Sequence, residues 1–85
     1  MSEITIVDFY TSWCGQCKKV KPIIQELTKD YKVLFIDAEE DKDSVEKYQI
    51  GSLPTILILK DDVEVGRLIG LFSKKMLLDK IESCK

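Results

Sequence analysis

Residues 11–19 read TSWCGQCKK. Two cysteines stand three positions apart, with Trp13 in front of them and Lys18 and Lys19 behind. The sequence changes period across this stretch. Upstream, ITIVDFY (residues 4–10) is β-branched and aromatic, the composition of a strand. It is apolar at nearly every position, as expected of a strand covered on both faces, with Asp8 as the exception. Downstream, Val20, Ile23, Ile24, Leu27 and Tyr31 recur at spacings of three and four, which predicts a helix over 15–30 with one apolar face. Pro22 lies inside that pattern and is expected to kink it. Cys14 therefore falls at the junction of strand and helix, at or near the N-cap, with Cys17 one turn further in.

The remaining elements follow by the same signals. KVLFIDA (32–38) predicts a second buried strand, and Val45 with Tyr48 a short helix over about 42–48. Two strands joined by a helix-length crossover imply a right-handed parallel βαβ unit. PTILILK (54–60) predicts a third strand and VEVGRLIG (63–70) a fourth. Asp61 and Asp62 supply the turn of an antiparallel hairpin, and Gly66 marks a bulge or a close backbone approach. Ser73 is the expected N-cap of a last helix to about residue 83, with Met76, Leu77, Leu78 and Ile81 as its apolar positions. The order βαβαββα predicts an α/β domain, a four-stranded mixed sheet with helices on both sides. Phe9, Val20, Ile24, Leu27, Phe35, Ile36, Ile56, Ile58 and Leu78 are the expected core.

Composition narrows the function. The chain has 85 residues, enough for one small domain, with 45% hydrophobic and 33% charged residues. Its net charge is −2, from 13 Lys+Arg against 15 Asp+Glu, which argues against a nucleic-acid binder. No run approaches the roughly 18 apolar residues of a membrane span. MSEITIVDFY lacks the basic and long apolar regions of a secretion signal, so a cytoplasmic location is the expectation. The chain has no histidine, which removes His-based general bases and every zinc site containing His. No nucleotide-binding glycine motif, internal repeat or low-complexity tract is present.

The cysteine pair carries the chemistry. At a helix start, unpaired N–H groups and the positive dipole end favour a thiolate, so the pKa of Cys14 is expected to fall below the free value of roughly 8.5. Spacing i, i+3 brings the two sulfurs together. Cys14 can attack a substrate disulfide, and Cys17, deeper in the helix, can resolve the mixed disulfide. The pair is also compatible with half a zinc site, a structural disulfide or chance. Zinc needs about four ligands and only Cys84 remains, far off in the last helix. A structural disulfide fits poorly with so short a loop and no secretion signal.

With these residues in place, the chain resembles the thioredoxin family, more narrowly its short thioredoxin- and glutaredoxin-like members that lack the first strand and helix. DFYTSWCGQCKKVKP (8–22) is similar to the active-site strand, redox motif and kinked helix. LPT (53–55) resembles the cis-proline segment, and IGLFSK (69–74) the glycine turn before the last helix. The resemblance implies a thioredoxin-like fold over residues 1–85 as a single domain. It implies a protein-disulfide reductase with Cys14 as nucleophile and Cys17 as resolving thiol. Asp8 would be the buried carboxylate that takes the proton of Cys17 through water, its pKa raised by burial; the alternative is an exposed Asp ending the strand. Trp13, Gly15, Gln16, Leu53, Pro54, Gly70 and Leu71 would form the substrate rim, with Pro54 cis and the Leu53 backbone pairing with an extended substrate. Trp13 as core and Gly70 as a plain turn glycine are the alternatives.

Partners follow from the same resemblance. They are protein disulfides and a flavoenzyme of the thioredoxin reductase class, with no bound cofactor or metal, no nucleic acid, no membrane and a monomeric state. Glutathione-dependent glutaredoxin-like chemistry is the competing enzyme reading, although Ser52-Leu53-Pro54 and Ile69-Gly70-Leu71 differ from the usual glutathione grips. A non-enzymatic binding module is the third. Three departures stand out. Gly15-Gln16 replaces the usual Gly-Pro, Phe35 stands where a lysine often accompanies the buried carboxylate, and Tyr10 stands where a second tryptophan is common. Cys84 is expected to be a bystander in the last turn.

Overall fold

The computed structural model describes residues 3–85. Its strands are β1 (Ile4–Tyr10), β2 (Lys32–Asp37), β3 (Thr55–Lys60) and β4 (Val63–Ile69). Its helices are α1 (Gly15–Glu26), α2 (Lys42–Lys47) and α3 (Lys74–Cys84). The sheet order is β2-β1-β3-β4, with β1 parallel to β2 and antiparallel to β3, and β3 antiparallel to β4. This is the mixed four-stranded sheet and βαβαββα order that the periodicities predict. No helix among the described residues is long and apolar enough to cross a membrane.

Alternation along the strands sorts side chains to the two faces. Ile6, Ile56 and Ile58 meet Ile24 and Leu27 from the first helical segment and Leu77 and Ile81 from α3. On the opposite face Val7, Phe9, Leu57 and Leu59 pack against Val45 and Tyr48 around α2, and against Ile50. Each fully buried Ile or Leu contributes about 1.5–3 kcal/mol over its exposed state, so the two central strands, β1 and β3, carry most of the apolar stabilisation. Asp8 lies on the α1 face of β1, in register with Phe35 on β2 and Ile56 on β3.

Local signals hold at the joints. Asp61 and Asp62 both take positive φ (51° and 69°), which matches the right-handed twist of a two-residue hairpin. The Ser73 hydroxyl accepts the Met76 N–H at 3.1 Å and caps α3. The expected bulge is present: Ile58 pairs with Gly66 and Leu59 with Glu64, leaving Val65 extra. Gly66 also meets the close approach that its position suggests. A Cβ there would stand 2.8 Å from the Cys84 sulfur.

Three expectations need correction. β2 is not a buried strand but an edge strand, flanked only by β1, and Leu34 and Phe35 are 42% and 38% exposed. Phe35 therefore leaves the core list, and Ile36 is only partly buried. In α3 the fully buried position is Leu77 rather than Leu78, because the helix turns Leu77 and Ile81, four apart, onto the sheet. The first helix ends at Glu26 and tightens into a 3₁₀ turn over Leu27–Lys29 instead of running to residue 30.

The Gly66 contact predicts a coupled pair. Gly66→Ala is expected to cost about 1–2 kcal/mol by overpacking, read as a lower urea midpoint at unchanged slope. In a Cys84→Ala background most of that cost should disappear. Equal costs in both backgrounds would show that the sulfur is not the obstacle.

Candidate active site

β1 ends at Tyr10, and the chain turns through residues 11–13 into α1. The turn closes when the Cys14 N–H donates to the Thr11 carbonyl at 3.3 Å. Cys14 has extended dihedrals (φ −86°, ψ 108°) and is the N-cap, as its position predicts. Its sulfur takes the place of a capping oxygen and accepts the Cys17 N–H at 3.1 Å. One unpaired N–H of the first turn, that of Cys17, thus meets the Cys14 sulfur, with no acidic side chain in that turn to oppose it. Cys14 and Cys17 form a disulfide, their Cα atoms 5.3 Å apart, within the usual span of about 4.4–6.8 Å. Gly15 and Gln16 are exposed at the start of the helix, and Lys18 follows on the surface.

Behind the pair lies a cavity of about 550 Å³, lined by Asp8, Thr11, Cys17, Lys18, Lys21 and Phe35 among others. Asp8 is 1% exposed, and its Oδ1 has no hydrogen-bond partner among the described residues. Burial therefore pushes its pKa from 3.8 up to about 6, against the pull of the Lys21 ammonium. The exposed, strand-ending alternative for Asp8 does not hold. Phe35 sits beside Asp8, as the alignment of the strands suggests, yet the carboxyl is not without a cation. Lys21 supplies it from the helix. Sequence reasoning missed Lys21, although its place four residues after Cys17 puts the two on one helix face.

In front of the pair a groove of about 420 Å³ is lined by Trp13, Cys14, Glu39, Val45, Ile50 and Leu53, with others at its margin. Trp13 is 69% exposed, not core, and its indole N–H donates to the Glu39 carboxylate. Glu39 lies 26 positions away, so no local pattern announces it. The Leu53–Pro54 peptide is cis, and Pro54 is buried just before β3. The Gly70 N–H donates to the Pro54 carbonyl at 3.0 Å. Gly70 has φ +86°, a conformation that favours glycine, so a turn role by itself accounts for glycine here. Leu71 is exposed next to it. The structure thus brings Trp13, Cys14 and Leu53 together on one groove and ties Gly70 to Pro54. Gly15 and Gln16 lie beside the groove rather than lining it.

Comparison with known proteins gives the same answer. Residues 1–83 match the family model for thioredoxin. The thioredoxin of Staphylococcus aureus is 33% identical, over 95% of this chain and 82% of its own length. That of Staphylococcus saprophyticus is 34% identical over the same shares. Among solved structures, a mutant thioredoxin from Halobacterium salinarum superposes with a TM-score of 0.89 at 30% identity, covering 95% of this chain and 74% of that one. A thioredoxin from Nicotiana alata gives 0.86 at 34% identity, covering 98% and 74%. All four are thioredoxins, which favours that reading over the glutaredoxin-like one. With a disulfide-forming pair capping α1 above a buried carboxyl, the chain belongs to the thioredoxin family and is a thiol–disulfide oxidoreductase.

Proposed function

We propose that this chain acts as one thioredoxin-like domain over residues 1–85 and reduces protein disulfides through a Cys14–Cys17 dithiol. The observation that carries the reading is the position of the Cys14 sulfur, which caps a helix N-terminus and lines an open groove. In the reduced form the Cys14 thiolate attacks one sulfur of a substrate disulfide. A Cys14–substrate bond forms, the substrate bond breaks, and the first substrate thiolate leaves. Cys17 then loses its proton and attacks the Cys14 sulfur. The Cys14–Cys17 bond forms, the mixed disulfide breaks, and two electrons have passed to the substrate, which takes up protons as its thiolates leave. Asp8 is the base for the second step: its raised proton affinity suits it to receive the Cys17 proton near neutral pH.

Trp13, Gly15, Gln16, Leu53, Pro54 and Gly70 form the substrate rim. The Leu53 peptide precedes β3 and is free of its ladder, which suits pairing with an extended substrate segment. The reducing electrons come from a flavoenzyme of the thioredoxin reductase class. The cysteines themselves carry the electrons, so no bound cofactor is required. A monomer working in the cytoplasm, without nucleic acid or membrane, fits the near-neutral composition and the small size.

Trapping tests the reading directly. Cys17→Ser is expected to accumulate a mixed disulfide with substrate through Cys14, seen by mass spectrometry of the intact protein and released by a small thiol. Cys14→Ser should form none and reduce nothing. A Cys14→Ser protein that still turned over would sink the assignment.

Asp8 makes a second, thermodynamic prediction. Its folded pKa of about 6 lies above the ordinary 3.8, so the folded state binds the extra proton between these values. Stability is therefore greatest below about pH 4 as far as this group is concerned, and falls as pH rises toward 6 and beyond. The cost of the buried carboxylate at neutral pH is on the order of 3 kcal/mol, at about 1.4 kcal/mol per tenfold change in proton affinity. Asp8→Asn should accordingly be more stable than the native chain at pH 7, with the gap closing toward pH 4. Denaturant midpoints at the two pH values check this, and a gap independent of pH would refute it.

A further inference from the structure

Two buried side-chain oxygens have no hydrogen-bond partner among the described residues: Asp8 Oδ1 and Thr11 Oγ1. Thr11 is 3% exposed, so its hydroxyl is withdrawn from bulk water nearly as fully as the carboxyl. A buried hydroxyl without a partner costs about 1–3 kcal/mol, and a neutral isostere such as valine would avoid that cost at this position. Thr11 also stands at a junction. It lines the rear cavity with Asp8 and Cys17, and the front groove with Cys14, and it is the one residue common to the linings of both. Its carbonyl already holds the Cys14 N–H, which fixes the backbone from which the hydroxyl projects. A hydroxyl both donates and accepts, so it can hold a water that is passing a proton in either direction. The rear cavity has ample room for water, which needs two to four polar partners.

We infer that Thr11 is a positioning residue of the resolving step, its hydroxyl holding a water that links the Asp8 carboxylate to the Cys17 thiol. This rests on the reading of Asp8 as the base and adds the group that orders its proton path. The Cys17 proton passes to the water while the water gives a proton to Asp8. The Cys17 thiolate then forms its bond to the Cys14 sulfur, and the substrate thiolate leaves. Thr11 begins and ends as a neutral hydroxyl. The charged groups around the path are Lys18 and Lys21 of α1, both on the cavity wall, with Tyr10 of β1 the further titratable group. The register neighbours of Asp8 on β2 and β3 are Phe35 and Ile56, which carry no charge.

Single-turnover reduction of dithiobis-nitrobenzoate separates the two steps, since one coloured thiolate leaves when Cys14 attacks and the second when Cys17 resolves. In Thr11→Val the first release should keep its native rate. The second should slow by about 10-fold or more near pH 7, within the range of proton-transfer catalysis. The defect should shrink above about pH 9, where the thiol ionises without help. Thr11→Ser keeps the hydroxyl and should resolve within about 3-fold of the native rate, a margin below the general acid–base effect. In an Asp8→Asn background, Thr11→Val should add little, because both groups serve one path. An unchanged second release in Thr11→Val overturns the inference. So does an equal slowing of both releases, a loss that persists at high pH, or a full additional loss on top of Asp8→Asn. If Asp8→Asn alone resolves normally, the base assignment itself fails. If it slows resolution and Thr11→Val does not, only the role of Thr11 fails.

Discussion

Everything at this site depends on β1 being enclosed. It pairs with β2 along one edge and β3 along the other, and it is covered by α1 and α3 on one face and α2 on the opposite face. On an enclosed strand a side chain is withdrawn from bulk water, so a polar one must find a partner or adjust its charge. Asp8 does the second. Its burial raises its proton affinity, and the folded chain carries a cost at neutral pH that a neutral residue would not incur. Asp8 is therefore not there for stability, and it shares the lining of the rear cavity with Cys17.

The same strand fixes the cysteines. It delivers the chain to the N-terminus of α1, where peptide N–H groups are left without helical partners. The Cys14 sulfur takes one of them, and the i, i+3 geometry of the first turn holds Cys17 within bonding reach. The helix cap therefore places the Cys14 sulfur on the front groove, while the buried carboxyl lies in the cavity that Cys17 lines. One short turn of chain, residues 11–14, separates the two environments, and Thr11 belongs to both.

The departures from the common family pattern lie on this framework and leave it intact. Gln16 replaces a residue that lacks an N–H, yet it is exposed and the cap forms across it. Phe35 gives an apolar wall on the strand side of Asp8, and Lys21 answers from the helix side. The electrostatic balance at the carboxyl is thus assembled from a different element. The half-exposed Phe35 belongs to an edge strand and closes the cavity at its rim, which accounts for an aromatic at a position that the core does not need.

Legible from the chain alone are the order of elements, the hairpin at Asp61 and Asp62, the Ser73 cap, Gly66 as a bulge or a close approach, and the placement of Cys14 and Cys17 at a strand-to-helix junction. These are short-range effects: side-chain period, backbone dihedrals and hydrogen bonds within one turn, all written in neighbouring residues. The family resemblance added Asp8, Pro54 and Gly70 to the candidate site. That β2 is an edge emerges in the folded chain alone, because strand order depends on which edges pair and not on how apolar a strand is. Phe35 was misplaced for that reason. The tertiary structure alone also set Lys21 and Thr11 around Asp8, and Glu39 against Trp13. Those groups meet across separate elements, and their joint effect arises from shared burial, a property of the packed solid that no single stretch of chain carries.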